Sequence, residues 1–442
     1  MSDTAKPKLT FRHLIYYGLA YIAPIAPLTT IGFVWNSTHG AVAASYILAG
    51  ICIFFTANSY AMMVREIRDS GSVYGYASQV FGPFVGFLAG WVILLDYLLI
   101  PAYVYVSTSV SLQQIAPFVS RSVWVVLFSL VTFGVNWFGL KSSNHANRGT
   151  VVVQVVTMMV LFGLALWALL RSYGGPTLGP LYSPGHFSVP AILSGTAICM
   201  MSFLGFDAIS TLSQDAEDDT GRTVGRAILS VVAIAALLFI STTWLLSDLL
   251  EHITIEDPAS AIYEVVSHCI GQYWSLALAI ITAIVIGFTN ALPMQIGVAK
   301  VLSAMGRDGQ MPRILARTHP KYHTPWVAMS LATVLFTGIA VLFSDQIDVL
   351  ASIVNFGALT GFIVLHVCVI VHFLIRRRTG RWILHGGGPL IGILSVLTVL
   401  SGMNDLAVTL GLGWIAAGLV YGLVLKMRRK TAPLPINSTG CG

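Results

Sequence analysis

Met200-Met201-Ser202-Phe203-Leu204-Gly205-Phe206-Asp207-Ala208-Ile209-Ser210-Thr211 decides how this chain is read. The segment sits inside an apolar run from Val189 to Leu212, about 24 residues and long enough to cross a bilayer. An ordinary spanning helix does not carry Ser202, Gly205, Asp207, Ser210 and Thr211 near its middle and inner half. A carboxylate at membrane depth costs roughly 2.5–3.5 kcal/mol or more, so its default reading is functional. Gly205 lets the helix open beside it, and the freed backbone groups must then be met by protein, water or ligand. The stretch reads as a broken helix at a binding site. The structural alternative is a kinked packing helix in which Asp207 pairs with a neighbour.

Composition sets the class. Of 442 residues 56% are hydrophobic and 10% charged, with a mean hydropathy of +0.81. This overrides the two or three soluble domains that length alone suggests and marks a polytopic membrane protein. Cys52, Cys199, Cys269, Cys368 and Cys441 are isolated and odd in number, so no disulfide framework, metal site or other cofactor is expected. The net charge of +6 is spread between apolar runs, which argues topology signals and not nucleic acid. Met1–Leu9 is polar and the first apolar run is too long for a cleavable signal peptide.

Twelve spans are expected near residues 11–37, 41–64, 81–112, 122–138, 148–171, 189–213, 227–249, 273–303, 325–344, 348–375, 387–403 and 406–427. With this count all of the 24 basic residues except Arg121, Arg171 and Lys300 fall on one side. The positive-inside rule makes that side cytoplasmic, together with both termini. Glu251, Glu256, Asp257, Glu264, Asp345, Asp348 and Asp405 fall on the other, where 257–268 is expected to form a short surface helix. The first span is interrupted at Ala23-Pro24-Ile25-Ala26-Pro27 and the sixth at Ser202–Asp207, five spans later. Two discontinuous helices in corresponding positions point to an inverted repeat of five spans, with the breaks meeting near the midplane. The expected fold is thus all-α, with a transporter core over 1–375 built from repeats at about 11–171 and 189–375. Two further spans follow within 376–430, then a disordered cytoplasmic tail over 431–442.

The candidate site gathers around the two breaks. Pro24 and Pro27 cannot continue a hydrogen-bond ladder, and the hydroxyls of Thr29 and Thr30 follow them. A Pro-kinked structural helix is the plain alternative. No glycine lies within 23–27, so the segment formed by Ala23, Ile25 and Ala26 is a poor cradle for a substrate carboxylate. Asp96 in the third span is a second acid at depth, and Tyr97 beside it offers a hydroxyl and a π-face to a cation. Its alternative is a pair with Lys300 or a bond to a neighbouring helix. Met201, Ser202, Phe203, Gly205 and Phe206 complete the opened sixth span. Asp96 and Asp207 divide the work in one of two ways: both face a dication, or one holds the amine while the other takes the coupling proton. Asn290 with Thr289, Asn355 with Gly357, and Gln154 are lesser candidates, more often helix–helix bonds than ligands. His366 and His372 read as structural.

Ser70-Gly71-Ser72-Val73-Tyr74-Gly75-Tyr76-Ala77, Val85-Gly86-Phe87-Leu88-Ala89-Gly90-Trp91, Ser202–Asp207 and Met305-Gly306-Arg307-Asp308-Gly309-Gln310-Met311-Pro312 resemble the amino acid–polyamine–organocation (APC) transporters. Gly18-Leu19-Ala20-Tyr21, Leu94-Leu95-Asp96-Tyr97-Leu98 and Ile353-Val354-Asn355-Phe356-Gly357-Ala358-Leu359 are similar to segments of the bacterial putrescine importers. The resemblance, over about 10–430, implies alternating access and proton-coupled uptake of an amine through the inner membrane. It sets Asp207 where members often have a glutamate implicated in proton sensing. Tyr97 falls where the arginine/agmatine antiporter has a substrate-contacting aromatic. Met201 replaces that antiporter's gating Trp, and Gln154 falls roughly where some members have a helix-five lysine, so neither of those devices carries over. Pro27-Leu28-Thr29-Thr30, Gln214-Asp215 and Thr223-Val224-Gly225-Arg226 depart from the importers and leave the cargo open between putrescine and another small amine. An amino acid permease or exchanger is the rival. No HExxH, GxSxG or Walker pattern suggests an enzyme.

Overall fold

The computed structural model describes residues 8–67, 72–138, 144–182, 188–217, 221–307, 312–322 and 324–431. Ser70-Gly71, Asp308–Met311 and the tail beyond Thr431 lie outside them. The described residues are helical, apart from an isolated bridge that pairs Leu9 with Ala216.

Sixteen α-helices follow in order. They are α1 (Phe11–Ile22), α2 (Ile31–Thr38), α3 (Val42–Glu66), α4 (Val73–Phe81), α5 (Pro83–Ile115), α6 (Arg121–Trp137), α7 (Asn144–Ser172) and α8 (Val189–Phe203). Then come α9 (Arg222–Leu250), α10 (Ala261–Cys269), α11 (Gln272–Thr282), α12 (Thr289–Arg307), α13 (Trp326–Leu342), α14 (Ile347–Val369), α15 (Gly388–Leu400) and α16 (Asp405–Thr431). Among the described residues nine helical stretches are long and apolar enough to cross a membrane, and a tenth if the bent pair over 11–38 counts as one. Two shorter apolar helices, α6 and α13, come in addition. Two boundaries differ from the sequence reading. Residues 73–81 form a separate helix, because Ser72 caps the backbone N–H of Gly75 and Gly82, at φ 96°, ends it before Pro83. The seventh span starts at Arg222, five residues earlier than hydropathy suggested, since helical backbone continues past the apolar edge.

Helix α1 begins with a reciprocal cap: the Thr10 hydroxyl accepts from the His13 N–H while the Thr10 N–H donates to the His13 ring. It stops at Ile22, where Ala23 takes φ 55° ahead of Pro24. A 3₁₀ turn over Ala26–Thr29 leads into α2, and the axis bends by 53°. Helix α8 stops at Phe203; Leu204 is extended, Gly205 is left-handed at φ 102°, and a 3₁₀ segment runs over Phe206–Leu212.

Helix α3 is the hub, packed against α9, α8 and α14 and buried along most of its length. Helix α14 packs in turn on α5, where Gly357 lets the two backbones approach: a Cβ there would lie 3.1 Å from the Val92 carbonyl and 3.2 Å from the Asp96 N. That contact fixes the depth and azimuth of Asp96. At the far edge α16 is clamped to α5 by Trp91 and Trp414, stacked at 4.7 Å, each indole N–H donating to the other residue's carbonyl. Leu237, Val334, Leu394 and Val420 are exposed on the outer faces, as lipid contact requires.

Candidate binding site between the interrupted helices

The two breaks touch. A Cβ on Gly205 would lie 2.8 Å from the Tyr21 carbonyl oxygen, so glycine is needed both for its φ and for the approach of α1. Around this contact a buried hydroxyl cluster joins three helices. Tyr46 Oη lies 3.0 Å from Thr30 Oγ1 and 3.1 Å from Ser202 Oγ, and these two are 3.4 Å apart. Thr29 bonds Tyr103 Oη of α5 at 2.8 Å. Ser202, Thr30 and Thr29 therefore tie the interruptions to α3 and α5, with their hydroxyls engaged inside the protein.

Asp207 is half-buried at the start of the 3₁₀ segment. Its carboxylate accepts from Tyr60 Oη at 3.4 Å, at the long end of the useful range. Asp96 is half-buried on α5, and its Oδ1 is buried with no hydrogen-bond partner among the described residues. Gly357 of α14 packs on the Asp96 backbone, and Phe362 of the same helix packs on Phe206 and on Tyr60, whose hydroxyl meets Asp207, so one helix links the two acids. Neither acid makes an ion pair among the described residues. In particular Lys300 is exposed, and the alternative pair with Asp96 is not formed.

Exposed tyrosines stand on the helices that carry these acids and breaks. Tyr97 is 52% exposed and Tyr21 46% exposed. Tyr17 Oη donates to Tyr21 Oη at 3.1 Å. Two helix C-termini, those of α1 and α8, end at the breaks, and a helix C-terminus carries partial negative charge. The backbone at 23–30 adds few donors: Ala26, Leu28 and Thr30 give their N–H to the carbonyls of Ala23, Ile25 and Pro27, and both prolines have none. Carboxylates, carbonyl ends and aromatic faces together favour a cation.

Residues 14–424 match the family described as amino acid permease. The chain belongs to this family. The permease is 32% identical over 439 residues to the low-affinity putrescine importer PlaP of Escherichia coli (strain K12), covering 96% of this chain and 95% of that one. It is 26% identical over 462 residues to the branched-chain amino acid permease BcaP of Bacillus subtilis (strain 168), with 96% and 94% covered. A methylthioribose transporter of the same organism is 26% identical over 399 residues, with 84% and 83% covered. The APC membership and the likeness to putrescine importers read from the motifs are thereby borne out. Relatives named for such different cargoes establish a membrane permease and leave the cargo to the site.

The remaining candidates are dispersed. Phe203 is buried against Phe239 of α9, ring centroids 5.0 Å apart, and Phe206 against Tyr60 and Phe362 at 5.6 and 5.7 Å. Ile25, Ala23 and Met201 are buried at the break, and Ala26 is half-buried. Asn355 donates from its amide to the Ala197 carbonyl at 2.7 Å, an interhelical bond between α14 and α8. Asn290 is half-buried at the start of α12 and makes no hydrogen bond among the described residues. Gln154 is buried on α7, away from the breaks in sequence, and its Oε1 meets no donor among the described residues. His366 is held by Thr56 and Ser59 at 3.3 and 2.8 Å, a packing role. Among the described residues no group of three His, Cys, Asp or Glu is placed to hold a metal.

Tyr46, Tyr60 and Tyr17 are the residues that sequence reasoning missed. Tyr46 and Tyr60 lie on α3, which is apolar on every side, so nothing in the sequence showed which neighbour their hydroxyls reach.

Proposed function

We propose that this permease is a secondary active transporter that imports a small organic amine, putrescine or another mono- or diamine, with proton coupling. The observation that supports this most is the pair Asp96 and Asp207: two acids linked through α14, without a basic partner among the described residues, beside the exposed Tyr97 and Tyr21. Two negative charges in a poorly hydrated space repel each other, and a single cation between them removes that cost. A proton on Asp207 removes that cost equally while Asp96 keeps its charge for the ammonium, so a proton and an amine can occupy the pair together. A carrier that reorients only with both acids neutralised then moves the two in the same direction.

In this reading the ammonium is held by Asp96, with Tyr97 against its hydrocarbon or cationic face. Asp207, on the movable segment beyond Gly205, takes the coupling proton; for a diamine it meets the second ammonium. The hydroxyl ties Thr29–Tyr103 and Thr30–Tyr46–Ser202 close the side away from Tyr17 and Tyr21, and alternating access requires them to part. The architecture proposed is twelve spans: the nine long helices, the bent pair, α6 and α13. It comprises a five-plus-five inverted repeat and two added helices in the bacterial inner membrane, with both termini cytoplasmic. The ligand set is the amine, protons and the lipid bilayer, with no nucleic acid and no cofactor.

One observation favours a second reading, an amino acid permease or exchanger. At the Gly205 turn the N–H groups of Gly205 and Phe206 meet no acceptor among the described residues, and such a pair can hold a carboxylate. Uptake into proteoliposomes loaded at low external pH separates the two. Putrescine or ethylamine uptake that excess leucine or alanine does not inhibit supports the amine reading. Inhibition by the amino acids at equal concentration supports the other.

A further inference from the structure

The segment between α14 and α15 is not used by transport as described above, yet it is built with care. Thr379 donates its N–H to the Phe373 carbonyl and its hydroxyl lies 2.7 Å from His385 Nδ1, while the His385 ring stacks on Phe373 at 4.3 Å. Gly380 at φ 69° and Arg378 at φ 48° make the turn. The result is a rigid loop that presents Trp382 and Ile383 outward, 70% and 89% exposed. In water this display is costly; at a bilayer interface Trp and its apolar neighbour sit at headgroup depth.

Between this loop and α3 lies a groove of about 560 Å³, lined among others by Phe55, Asn58, Arg381 and Trp382. Its polar groups are uncommitted. Asn58 makes no hydrogen bond among the described residues, and the guanidinium of Arg381 meets no acceptor there either; Arg378 is exposed on the adjoining turn, outside the groove lining. Their neighbours are engaged: Arg377 pairs with Glu66 at 2.6 Å, and Arg376 donates to the carbonyls of Gln79 and Val80. Above the groove Ile51 and Phe54 continue along the same side of α3 as an exposed apolar track. Positive charge at the loop, an amide donor below it and an apolar track running into the membrane match one molecule in order: an anionic headgroup, a glycerol ester and an acyl chain.

We infer that this groove is a binding site for an anionic phospholipid, whose phosphate lies against Arg381, with Arg378 on the adjoining turn adding positive charge, and whose ester carbonyl accepts from Asn58. The inference rests on the membrane location alone and is independent of the cargo.

Native mass spectrometry of the detergent-purified full chain, titrated with dioleoylphosphatidylglycerol or dioleoylphosphatidylcholine, tests it. The phosphatidylglycerol adduct is expected to bind more tightly, and the double variant Arg378→Gln/Arg381→Gln to weaken it about thirtyfold, a factor of about five for each arginine near an anionic surface. Phosphatidylcholine adducts, whose phosphate is offset by the lipid's own choline, should weaken less than phosphatidylglycerol adducts in that variant, and its lipid-free melting temperature should match the parent's. Asn58→Leu provides a second variant, expected to weaken both lipids through the ester contact. Equal binding of the two lipids, or an unaltered phosphatidylglycerol affinity in the double variant, would overturn the assignment. Displacement of the adduct by millimolar inorganic phosphate would also overturn it, since the groove would then be a free-anion site.

Discussion

The two interrupted helices are broken by different residues, and the difference separates their tasks. At 23–27 prolines end α1, and the 3₁₀ turn that follows uses its own N–H groups, so the break is self-satisfied and its hydroxyls bind protein. At 204–207 a left-handed glycine ends α8, and a carboxylate stands at the start of the next turn with a weak tyrosine contact. A proline break removes donors and stiffens the chain, whereas a glycine break leaves polar groups free and the chain able to move. The first suits a hinge and brace, the second a place where charge is exchanged.

Changes at the glycine side should therefore cost transport more than changes at the proline side. The largest effect is expected from Asp96→Asn, which removes the acid opposite the glycine break. Loss of one partner of a desolvated charge pair costs about 2–5 kcal/mol, so amine affinity measured by isothermal titration should fall at least thirtyfold. Near-normal affinity would take Asp96 out of the site. Next is Gly205→Ala. A residue with a side chain in the left-handed region costs roughly 1–2 kcal/mol, and its Cβ would press on the Tyr21 carbonyl at 2.8 Å. A lowered melting temperature with severely reduced uptake is expected, and a variant with parental turnover would show that the breaks need not touch.

Asp207→Asn should retain folding and flatten the pH dependence of uptake, because the group that exchanges its proton is gone. An unaltered pH profile would assign coupling to another residue. The smallest effect belongs to the brace. Tyr103→Phe removes the partner of Thr29 and about 1 kcal/mol of hydrogen bonding. If that bond closes one side of the site, the variant should favour opening there, read as greater alkylation of Ala26→Cys, a position that leaves both bonded hydroxyls in place. Unchanged labelling would make the bond incidental.

Much of this was legible from residue types. Hydropathy located the apolar helices, and Pro24, Pro27 and Gly205 marked the places where regular helix stops, because those residues act on their own backbone. Asp96 and Asp207 stood out since charge in lipid is rare. What the residues could not give was partnership across helices. Residue types suggested Thr30, Ser202 and Phe203 for the site, and the structure adds that Tyr46 bonds both hydroxyls and that Phe203 packs on Phe239. Azimuth around a helix that is apolar on every side carries no periodic signal. The same holds for α4, whose cap at Ser72 is clear locally but whose separation from α5 rests on one glycine at φ 96°.

The central claim is that Asp96 and Asp207 together hold positive charge, an ammonium on Asp96 and either a proton or a diamine's second ammonium on Asp207. Equilibrium binding of putrescine to the purified permease across pH 5 to 8 tests it directly, with leucine as the comparison ligand. Putrescine should bind saturably with affinity that rises with pH, and Asp96→Asn should lower that affinity at every pH. Tight leucine binding that survives Asp96→Asn, with putrescine failing to bind at any pH, would contradict it.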